Sequence, residues 1–388
     1  MKLLHASHSK PRVAIYSLRN MENHVSRACG YTFEDVIASE IDEVDIIAPD
    51  FKSGKKMSHK ANVWAARKFG HGVAVSQGNV GLEQDYDLFF FNPAQPRDLV
   101  YLNSLKNWRQ HSKTAVCWLQ ELWINEFHSV GRLLDILEQF DHVVCTFFHT
   151  AEYLREHISK PVTHLSWGVD TKLFCPYPFE PDRAIDVCAV GEVHPVMHQQ
   201  LIQHADRTGQ YYQYSTVHGV HAMASHKAHR YNYANTLKRS RYFLSFLAKI
   251  ANTTQRGDQE EFGPRYLEGM ASGNVVLGNT VRNPSYKEYF PWNDAVIDVP
   301  FDASDISDVI EMLDSDPERT ARIRRSNVVN ALQRHDHLHR WGKILELAGM
   351  EPLEKAARRH SQLVELINLA NHGDIRPQPL QKSMMSSK

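Results

Sequence analysis

The segment Glu260–Gly278, EEFGPRYLEGMASGNVVLG, carries the residues whose types and spacing could do chemistry. Gly263 followed by Pro264 is typical of a helix start, because proline is favoured at the first helical position. The pattern predicts a short helix over Arg265–Ser272, a stop at Gly273 and then a buried strand. The start of such a helix offers free backbone N–H groups and the positive end of the helix dipole, so it could bind a phosphate.

Two glutamates flank this predicted phosphate site. Glu268 lies one turn inside the helix, and Glu260 lies in the preceding loop, at the edge where open α/β sheets bind ligands. Carboxylates accept hydrogen bonds from pairs of hydroxyl groups, so the two residues suit the hydroxyls of a sugar nucleotide. The neighbouring Glu261 is the alternative to Glu260 as the functional carboxylate.

Aromatic residues supply further candidates in the first half of the chain. His149 follows a predicted strand at its carboxyl edge, where a catalytic role competes with a structural one. The side chains of Trp108, Trp118 and Trp123 could stack on an acceptor sugar or lipid, although a place in the core is the default for tryptophan.

Histidine is unusually frequent, with 23 residues in 388. Two clusters stand out, at His218, His221, His226 and His229 and at His335, His337 and His339. We expect surface or loop histidines here rather than metal ligands, because no cysteine partners or HExxH spacing accompany them.

Short apolar runs separated by amphipathic stretches predict the elements that must position these residues. The first half contains runs rich in Val, Ile and Phe that read as buried strands: Val13–Leu18, Val44–Ala48, Val73–Ser76, Asp87–Phe91, Thr114–Leu119, His142–Phe147 and Val162–Trp167. Helix-like stretches such as Gly131–Gln139 and Thr150–His157 lie between them. Alternation of strands and helices predicts a parallel sheet with helices on both faces.

A proline-rich stretch at Phe174–Pro181 interrupts this rhythm and is typical of a linker. The same alternation then restarts, with predicted strands at Ile185–Val190, Tyr211–Val217, Tyr242–Leu247, Asn274–Leu277 and Ala295–Val299. We expect His218–Arg230 to be a mobile loop before a helix at Tyr231–Arg239. Helices follow at Asp305–Leu313, Pro317–Gln333, Leu338–Leu347 and Pro352–Ala370.

Composition excludes several classes of protein. Hydrophobic residues make up 42% and charged residues 23%, so the chain can bury a core, and its net charge of −1 provides no global field for nucleic acid or an anionic membrane. No segment reaches the ~18 apolar residues of a membrane span, and MKLLHASHSK lacks the apolar region of a secretory signal. The five cysteines form no CxxC pair, and three lie in strand-like runs. We expect free thiols and a cytoplasmic location, with peripheral contact at the inner membrane left open.

The motifs of the second half resemble a known family. Glu260-x7-Glu268 followed by Gly-Met-Ala-Ser-Gly resembles the EX7E signature of retaining GT-B glycosyltransferases, with family 4 and the CgeB-like group as the nearest match. Trp167–Pro176, WGVDTKLFCP, is similar to the stretch where the family's first domain leads into its second. Pro317–Arg340 is similar to the helical C-terminal region of the CgeB-like group.

The resemblance implies an α/β fold of two Rossmann-like domains facing across a cleft (GT-B). Residues 1–172 would form an acceptor domain and residues 173–350 a nucleotide-sugar domain. A helix over 351–370 would return to the first domain, and 371–388 would be a disordered tail.

The resemblance also implies roles for individual residues. Glu268 would bind the ribose hydroxyls of the donor and Glu260 would contact the donor sugar near the reacting carbon. Gly263 would let the backbone approach the donor, and Gly191 would lie near the diphosphate.

This sequence departs from the family at the diphosphate. The family often has arginine after the glycine that matches Gly191, and a basic residue later; here Glu192 follows, and the later position falls among His194, His198 and Gln199. Arg265 or Lys249 could substitute for these groups. The family's histidine after a central strand of the first domain is replaced by Gln120 or Glu121.

The predicted function is glycosyl transfer from a nucleotide sugar, such as a UDP- or GDP-sugar, with retention and without metal or further cofactor. The acceptor would be a saccharide, a lipid-linked molecule or a small molecule. Two alternatives are a sugar-nucleotide epimerase on the same fold and a degenerate sugar-nucleotide-binding protein, which the missing basic pair favours slightly.

Overall fold

The structure of the protein is a computed structural model that describes residues 12–20, 22–49, 56–69, 80–216 and 222–372. Its strands are β1 Val13–Tyr16, β2 Val44–Ile47, β3 Val80–Gly81, β4 Tyr86–Phe91, β5 Leu105–Lys106, β6 Ser112–Leu119, β7 His142–Cys145, β8 Val162–His164, β9 Ile185–Ala189, β10 Tyr212–Gln213, β11 Ser240–Leu244, β12 Val275–Gly278 and β13 Ile297–Asp298.

The α-helices of the described residues are α1 Ala28–Val36, α2 Lys56–Phe69, α3 Phe127–Val130, α4 Phe148–His157, α5 Thr171–Phe174, α6 Pro195–Thr208, α7 His226–Lys238, α8 Thr253–Arg256, α9 Pro264–Ala271, α10 Pro284–Tyr289, α11 Ile306–Asp314, α12 Pro317–Arg334, α13 His337–Leu347 and α14 Glu354–His372. One π-helical turn, Ile37–Ile41, extends α1. The predicted helix Gly131–Gln139 forms as a 3-10 helix.

The first half forms a six-stranded sheet in the order β2-β1-β4-β6-β7-β8, and every neighbouring pair is parallel. Successive residues of a strand point to opposite faces, so an unbroken apolar run fills two cores at once. In β1, Ala14 and Tyr16 pack on one face, while Val13 and Ile15 pack on the other.

The second half forms a five-stranded parallel sheet in the order β10-β9-β11-β12-β13. It too has a core on each face, with Phe243 and Val276 on one side and Tyr242 and Val275 on the other. The chain adds β10 on one side of β9 and then adds β11 on the other side, so the strand order reverses between β9 and β11. Such a switch point opens a crevice at the carboxyl edge of the sheet.

Most of the predicted strands and helices are present, and the clearest local difference is at α7. Helix α7 begins at His226, so the part of the predicted loop that follows this residue is helical. The reason is a cap, because the Ser225 side chain accepts a hydrogen bond from the Ala228 amide. Outside the described residues lie the predicted strand Val73–Ser76, the last residue of the predicted strand Tyr211–Val217, residues 218–221 of the predicted loop and residues 373–388 of the predicted tail.

The expectation that the second histidine cluster lies on the surface is wrong. His335 and His337 are buried, and burial lowers the pKa of His335 well below its ordinary value and that of His337 to about 3. His335 Nε2 lies 2.9 Å from the Tyr289 carbonyl oxygen, and the His337 ring packs edge-on against Phe33. The His337 imidazole thus packs between the two halves of the chain, whereas the His335 imidazole packs within the second half.

The last helices pack on the first sheet. Trp341, on α13, is buried among core residues of that sheet, and its indole N–H donates to Asp42 over 2.8 Å. Ala356, on α14, belongs to the same cluster. The chain therefore returns to the first sheet before residue 351.

Arg359, on α14, holds three segments of the chain together. Its guanidinium donates two 2.8 Å bonds to Asp336, one of 2.8 Å to Asp170 and one of 2.7 Å to Glu40, and its side chain is fully buried. The guanidinium holds the pKa of Asp336 well below its ordinary value. Lys172 donates to the same Glu40 carboxylate over 2.5 Å, so the network joins the π-helical turn after α1, the start of α5 and the C-terminal helices.

All five cysteines are free thiols, four of them buried, as the sequence predicts. Among the described residues, no helix is long and apolar enough to cross a membrane, and no group of three or more His, Cys, Asp or Glu residues is arranged to hold a metal ion.

We expect Arg359→Met to lower the free energy of unfolding by about 3–5 kcal/mol, because it leaves buried carboxylates without their cation. Arg358→Met is the matched control, since the Arg358 side chain is 72% exposed, and should change stability by less than about 0.5 kcal/mol. Urea denaturation measures both variants. Equal stability of Arg359→Met and the unmodified protein would show that the network contributes nothing.

Candidate active site

Helix α9 lies between β11 and β12 along the chain, and its start lies at the carboxyl edge of the second sheet. Gly263 is its N-cap and Pro264 its first residue, as the sequence predicts. A Cβ atom at Gly263 would meet nothing within 4 Å, so the space beside the helix start is open. Gly269 serves packing instead, because a Cβ there would lie 2.7 Å from a ring carbon of Phe243.

Gly191 and Arg265, which are 74 positions apart in the sequence, meet at this edge. Gly191 follows β9, has a φ of +104°, and a Cβ atom there would lie 2.1 Å from Arg265 Nη1. The positive φ favours glycine at this position, whereas the Arg265 side chain could move away from a Cβ atom. Among the described residues, no carboxylate forms an ion pair with Arg265, so an exposed guanidinium lies over the loop at the switch point of the sheet.

Glu268 has a cation of its own. Its Oε1 lies 2.6 Å from Arg230 Nη1 on α7, and the two side chains are 2% and 6% exposed. The Cys29 thiol, on α1 of the first half, donates to the same oxygen over 3.5 Å. Burial raises the pKa of this thiol to about 12, which keeps its proton on the sulfur. Residues from both halves of the chain thus converge on Glu268.

Glu260 and Glu261 face different surroundings. Glu260 accepts a 2.8 Å hydrogen bond from the backbone N–H of Arg282, whose side chain is exposed. Glu261 is buried and accepts from Gln259 Nε2 over 3.0 Å and from the His149 amide over 3.4 Å. Burial raises the pKa of Glu261 to about 7, against the lowering effect of the Gln259 hydrogen bond.

His149 reaches this segment through its backbone rather than its ring. It lies in the first turn of α4, so its amide is one of the free N–H groups of that helix start, and Glu261 supplies the anion. The imidazole Nδ1 lies 3.4 Å from Glu152 on the same helix. Among the described residues, no contact joins His149 to Glu260, so the catalytic role of His149 stays a prediction.

The two remaining basic candidates lie apart from Gly191. Lys249 Nζ lies 3.7 Å from Glu121 Oε1 across the cleft, and its φ of +55° places it in a tight turn after β11. His198 packs against the tyrosines of the edge strand, with its Nδ1 3.1 Å from the Tyr212 hydroxyl. Both stay predictions as donor-binding residues, and the contacts of His198 point away from that role.

The polar residues Gln120 and Glu121 lie at the carboxyl edge of β6. The Gln120 side chain donates to Asn92 over 2.8 Å, and the Glu121 carboxylate accepts from the Trp123 indole over 3.0 Å. The side chains of Trp108, Trp118 and Trp123 are all buried, so none is free to stack on an acceptor.

Several contacts between the halves have no signal in the sequence. Gln259 accepts from the Ile124 amide over 3.1 Å and donates to the Thr150 hydroxyl over 2.9 Å. His226 pairs with Asp35 over 2.7 Å. Such partners lie more than 100 positions apart, and no local pattern connects them.

Comparison with known proteins supports this description of the fold. The family model described as glycosyl transferase-like matches residues 193–346, which is less than half of the chain. No curated protein matches the sequence at a significant level.

Two solved structures of an alpha-glucosyltransferase are similar to this one. The first is a complex with UDP and a 13-mer DNA containing a HMU base, with a TM-score of 0.53 and 12% sequence identity over 88% of this chain and 100% of that one. The second, with UDP and DNA carrying a central A:G mismatch, gives 0.54 and 13% over the same shares. The predicted fold class, two parallel α/β sheets in the GT-B arrangement, is thereby confirmed.

Glu261 generates a prediction about stability and pH. Its folded pKa of about 7 exceeds the ordinary value of 4.5, so the folded state holds a proton that the unfolded state releases. Its contribution to stability is present below pH 4.5 and is lost as the pH rises through 7. From pH 5 to pH 8 we expect Glu261→Gln to gain on the order of 2 kcal/mol of unfolding free energy relative to the unmodified protein.

Urea denaturation at both pH values measures this difference. Titrating histidines affect both proteins alike and cancel. Glu156→Gln, on the exposed face of α4, is the control and should show no such gain. A difference for Glu261→Gln that does not change with pH would contradict the buried, proton-holding carboxyl.

Proposed function

We propose that this protein transfers a sugar from a nucleotide-sugar donor to an acceptor, as a retaining, metal-independent glycosyltransferase of the family 4 or CgeB-like type. The observation that carries the proposal is Arg265 lying over Gly191 at the switch point of the second sheet. An unpaired guanidinium beside a glycine loop and a helix start is an arrangement that binds a diphosphate. The glycosyl transferase-like match over 193–346 includes Arg265 and begins two positions after Gly191.

The donor would lie along α9. Its diphosphate would meet Arg265 and the helix start, and its ribose would meet Glu268 one turn later. A UDP-sugar is the first choice, since the similar alpha-glucosyltransferase was solved with UDP. When the glycosidic bond breaks, negative charge grows on the leaving diphosphate, and the fixed positive groups stabilise it more in the transition state than before.

In this proposal Glu260 would face the donor sugar, where positive charge develops. The Glu260 carboxylate is partly exposed and bound to a loop amide, so it could turn toward a sugar without losing a buried partner. Retention of configuration rests on the resemblance of the EX7E motif, and metal independence rests on the same resemblance.

The proposal assigns residues 173–350 to the donor and residues 1–172 to the acceptor, with the cleft between the sheets as the place of reaction. The acceptor would be a saccharide, a lipid-linked molecule or a small molecule. The free thiols of all five cysteines support a cytoplasmic location, which cell fractionation would test.

Two alternatives use the same site. A sugar-nucleotide epimerase would need no acceptor and would change the sugar while it stays attached to the nucleotide. A degenerate binding protein would bind the donor without turnover; the ion pair between Lys249 and Glu121, which diverts one basic candidate, favours it slightly. A panel of UDP-, GDP-, ADP- and dTDP-sugars, assayed for nucleotide release with and without mixed acceptors and with excess EDTA, separates the three.

We expect the glutamates to differ in kinetics. Glu268→Gln should raise the donor KM with a smaller effect on kcat, because ribose contacts are the same in ground state and transition state. Glu260→Gln should lower kcat on the order of 10²-fold or more while nucleotide affinity changes little, because its charge acts where the reaction creates charge.

Steady-state kinetics and calorimetric binding of the nucleoside diphosphate measure these effects, with Glu261→Gln as the control that should remain active. If Glu268→Gln binds the diphosphate as well as the unmodified protein, the motif is misassigned. If Glu261→Gln is the inactive variant, the functional carboxylate is Glu261, and Glu260 is a solvated neighbour.

A further inference from the structure

Arg230 lies in a buried polar cluster with Glu268. It stands on the side of α7 that faces α1 and α9, and its guanidinium packs over the Phe174 ring at 4.8 Å from the centroid. Its Nη1 lies 2.6 Å from Glu268 Oε1 and 3.4 Å from the Cys29 sulfur. A buried arginine keeps its charge, so it is a permanent cation beside the carboxylate.

The two oxygens of Glu268 differ in what they contact. Oε1 pairs with the Arg230 guanidinium and accepts a hydrogen bond from the Cys29 thiol. In the part of the chain that the structure describes, no group donates a hydrogen bond to Oε2. An ionised carboxylate offers about four acceptor positions, so Oε2 retains its capacity to accept from a pair of hydroxyls.

The geometry around the pair contains further unused polar atoms. Arg230 Nε and the Tyr233 hydroxyl are buried and have no hydrogen-bond partner among the described residues. Arg265 stands three positions before Glu268 on α9, so both side chains belong to one side of the helix. One side of α9 thus presents a guanidinium for an anion and, next to it, a carboxylate oxygen for hydroxyls.

We propose that Arg230 is a positioning residue for nucleoside diphosphate binding, which places a fixed cation beside Glu268 and holds Oε1 so that Oε2 can accept the ribose hydroxyls. The proposal rests on the proposed function, since it concerns the same donor. Because Cys29 belongs to the first half of the chain, contact between the halves completes the setting of this carboxylate.

Charge is the reason that arginine is needed. A buried carboxylate without a cation takes up a proton near neutral pH, and a protonated carboxyl accepts fewer hydrogen bonds. Loss of Arg230 should therefore make nucleotide binding weaker at low pH than at high pH. The other titratable or charged groups near the pair are Cys29 on α1, His229 and Tyr233 on α7, Arg265 on α9 and His337 on α13.

The test is calorimetric binding of UDP at pH 6, 7 and 8.5. Arg230→Gln should weaken UDP binding on the order of tenfold or more at pH 7 and should recover part of this loss at pH 8.5. Arg230→Lys keeps the charge and should bind within a few-fold at each pH. Lys227→Met, on the same helix with a side chain that is 72% exposed, is the matched control and should bind like the unmodified protein.

A double variant guards against misfolding of Arg230→Gln. Arg230→Gln with Glu268→Gln removes both charges together and should bind UDP no more weakly than Glu268→Gln alone. A further loss in the double variant would overturn the proposal, because Arg230 would then act without Glu268. Binding of UDP by folded Arg230→Gln with unmodified affinity and pH dependence would overturn it too.

The failure of the two proposals can be told apart. If the unmodified protein binds UDP and Glu268→Gln does not, the proposed function stands whatever Arg230→Gln shows. If the unmodified protein binds no nucleoside diphosphate, both proposals fail together.

Discussion

The ion network around Arg359 is the constraint on which the arrangement of the protein depends. A single buried guanidinium joins carboxylates from the π-helical turn after α1, the start of α5 and the C-terminal helices. An arginine in such a place is costly to bury and costly to remove, since Asp336 would be left as a buried charge and Asp170 as a mostly buried one. Trp341 packs into the core of the first sheet. Arg359 and Trp341 together hold the C-terminal helices against the first sheet after the chain has completed the second sheet.

That crossing brings the carboxyl edges of the two sheets toward each other. The contacts between them are polar and specific: Gln259 bridges to Thr150, Glu261 caps the start of α4, and Cys29 reaches Glu268. In each case a group from one half satisfies a donor or acceptor of the other. Polar contacts of this kind can be exchanged for contacts with a ligand at modest cost.

The three glutamates of the EX7E segment have identical side chains in three different surroundings. Glu260 is partly exposed and bound to a loop amide, Glu261 is buried at a helix start, and Glu268 is buried against a guanidinium. Desolvation favours the neutral acid, whereas a nearby cation favours the anion. Burial thus raises the pKa of the Glu261 carboxyl, whereas Glu268 lies beside the Arg230 guanidinium.

The sequence by itself determined the elements and the local part of the site. Apolar runs and their spacing predict both parallel sheets, because a strand buried on both faces must be apolar at every position. Gly263, Pro264 and Gly273 predict the limits of α9, because cap residues act within one turn of the helix end. The place of Gly191 at the end of a strand was also readable, although its close contact with Arg265 was not.

Only the tertiary structure decided which charges meet. Cys29 and Glu268 are 239 positions apart, Trp341 and Asp42 299 positions, and Arg359 and Glu40 319 positions. The burial of His335 and His337 was misjudged for the same reason, since a polar residue reads as exposed until its partners are known. The start of α7 at His226 depends instead on a local cap, Ser225. Local patterns encode periodicity and caps, whereas the partner of a buried charge is set by the packing of distant segments.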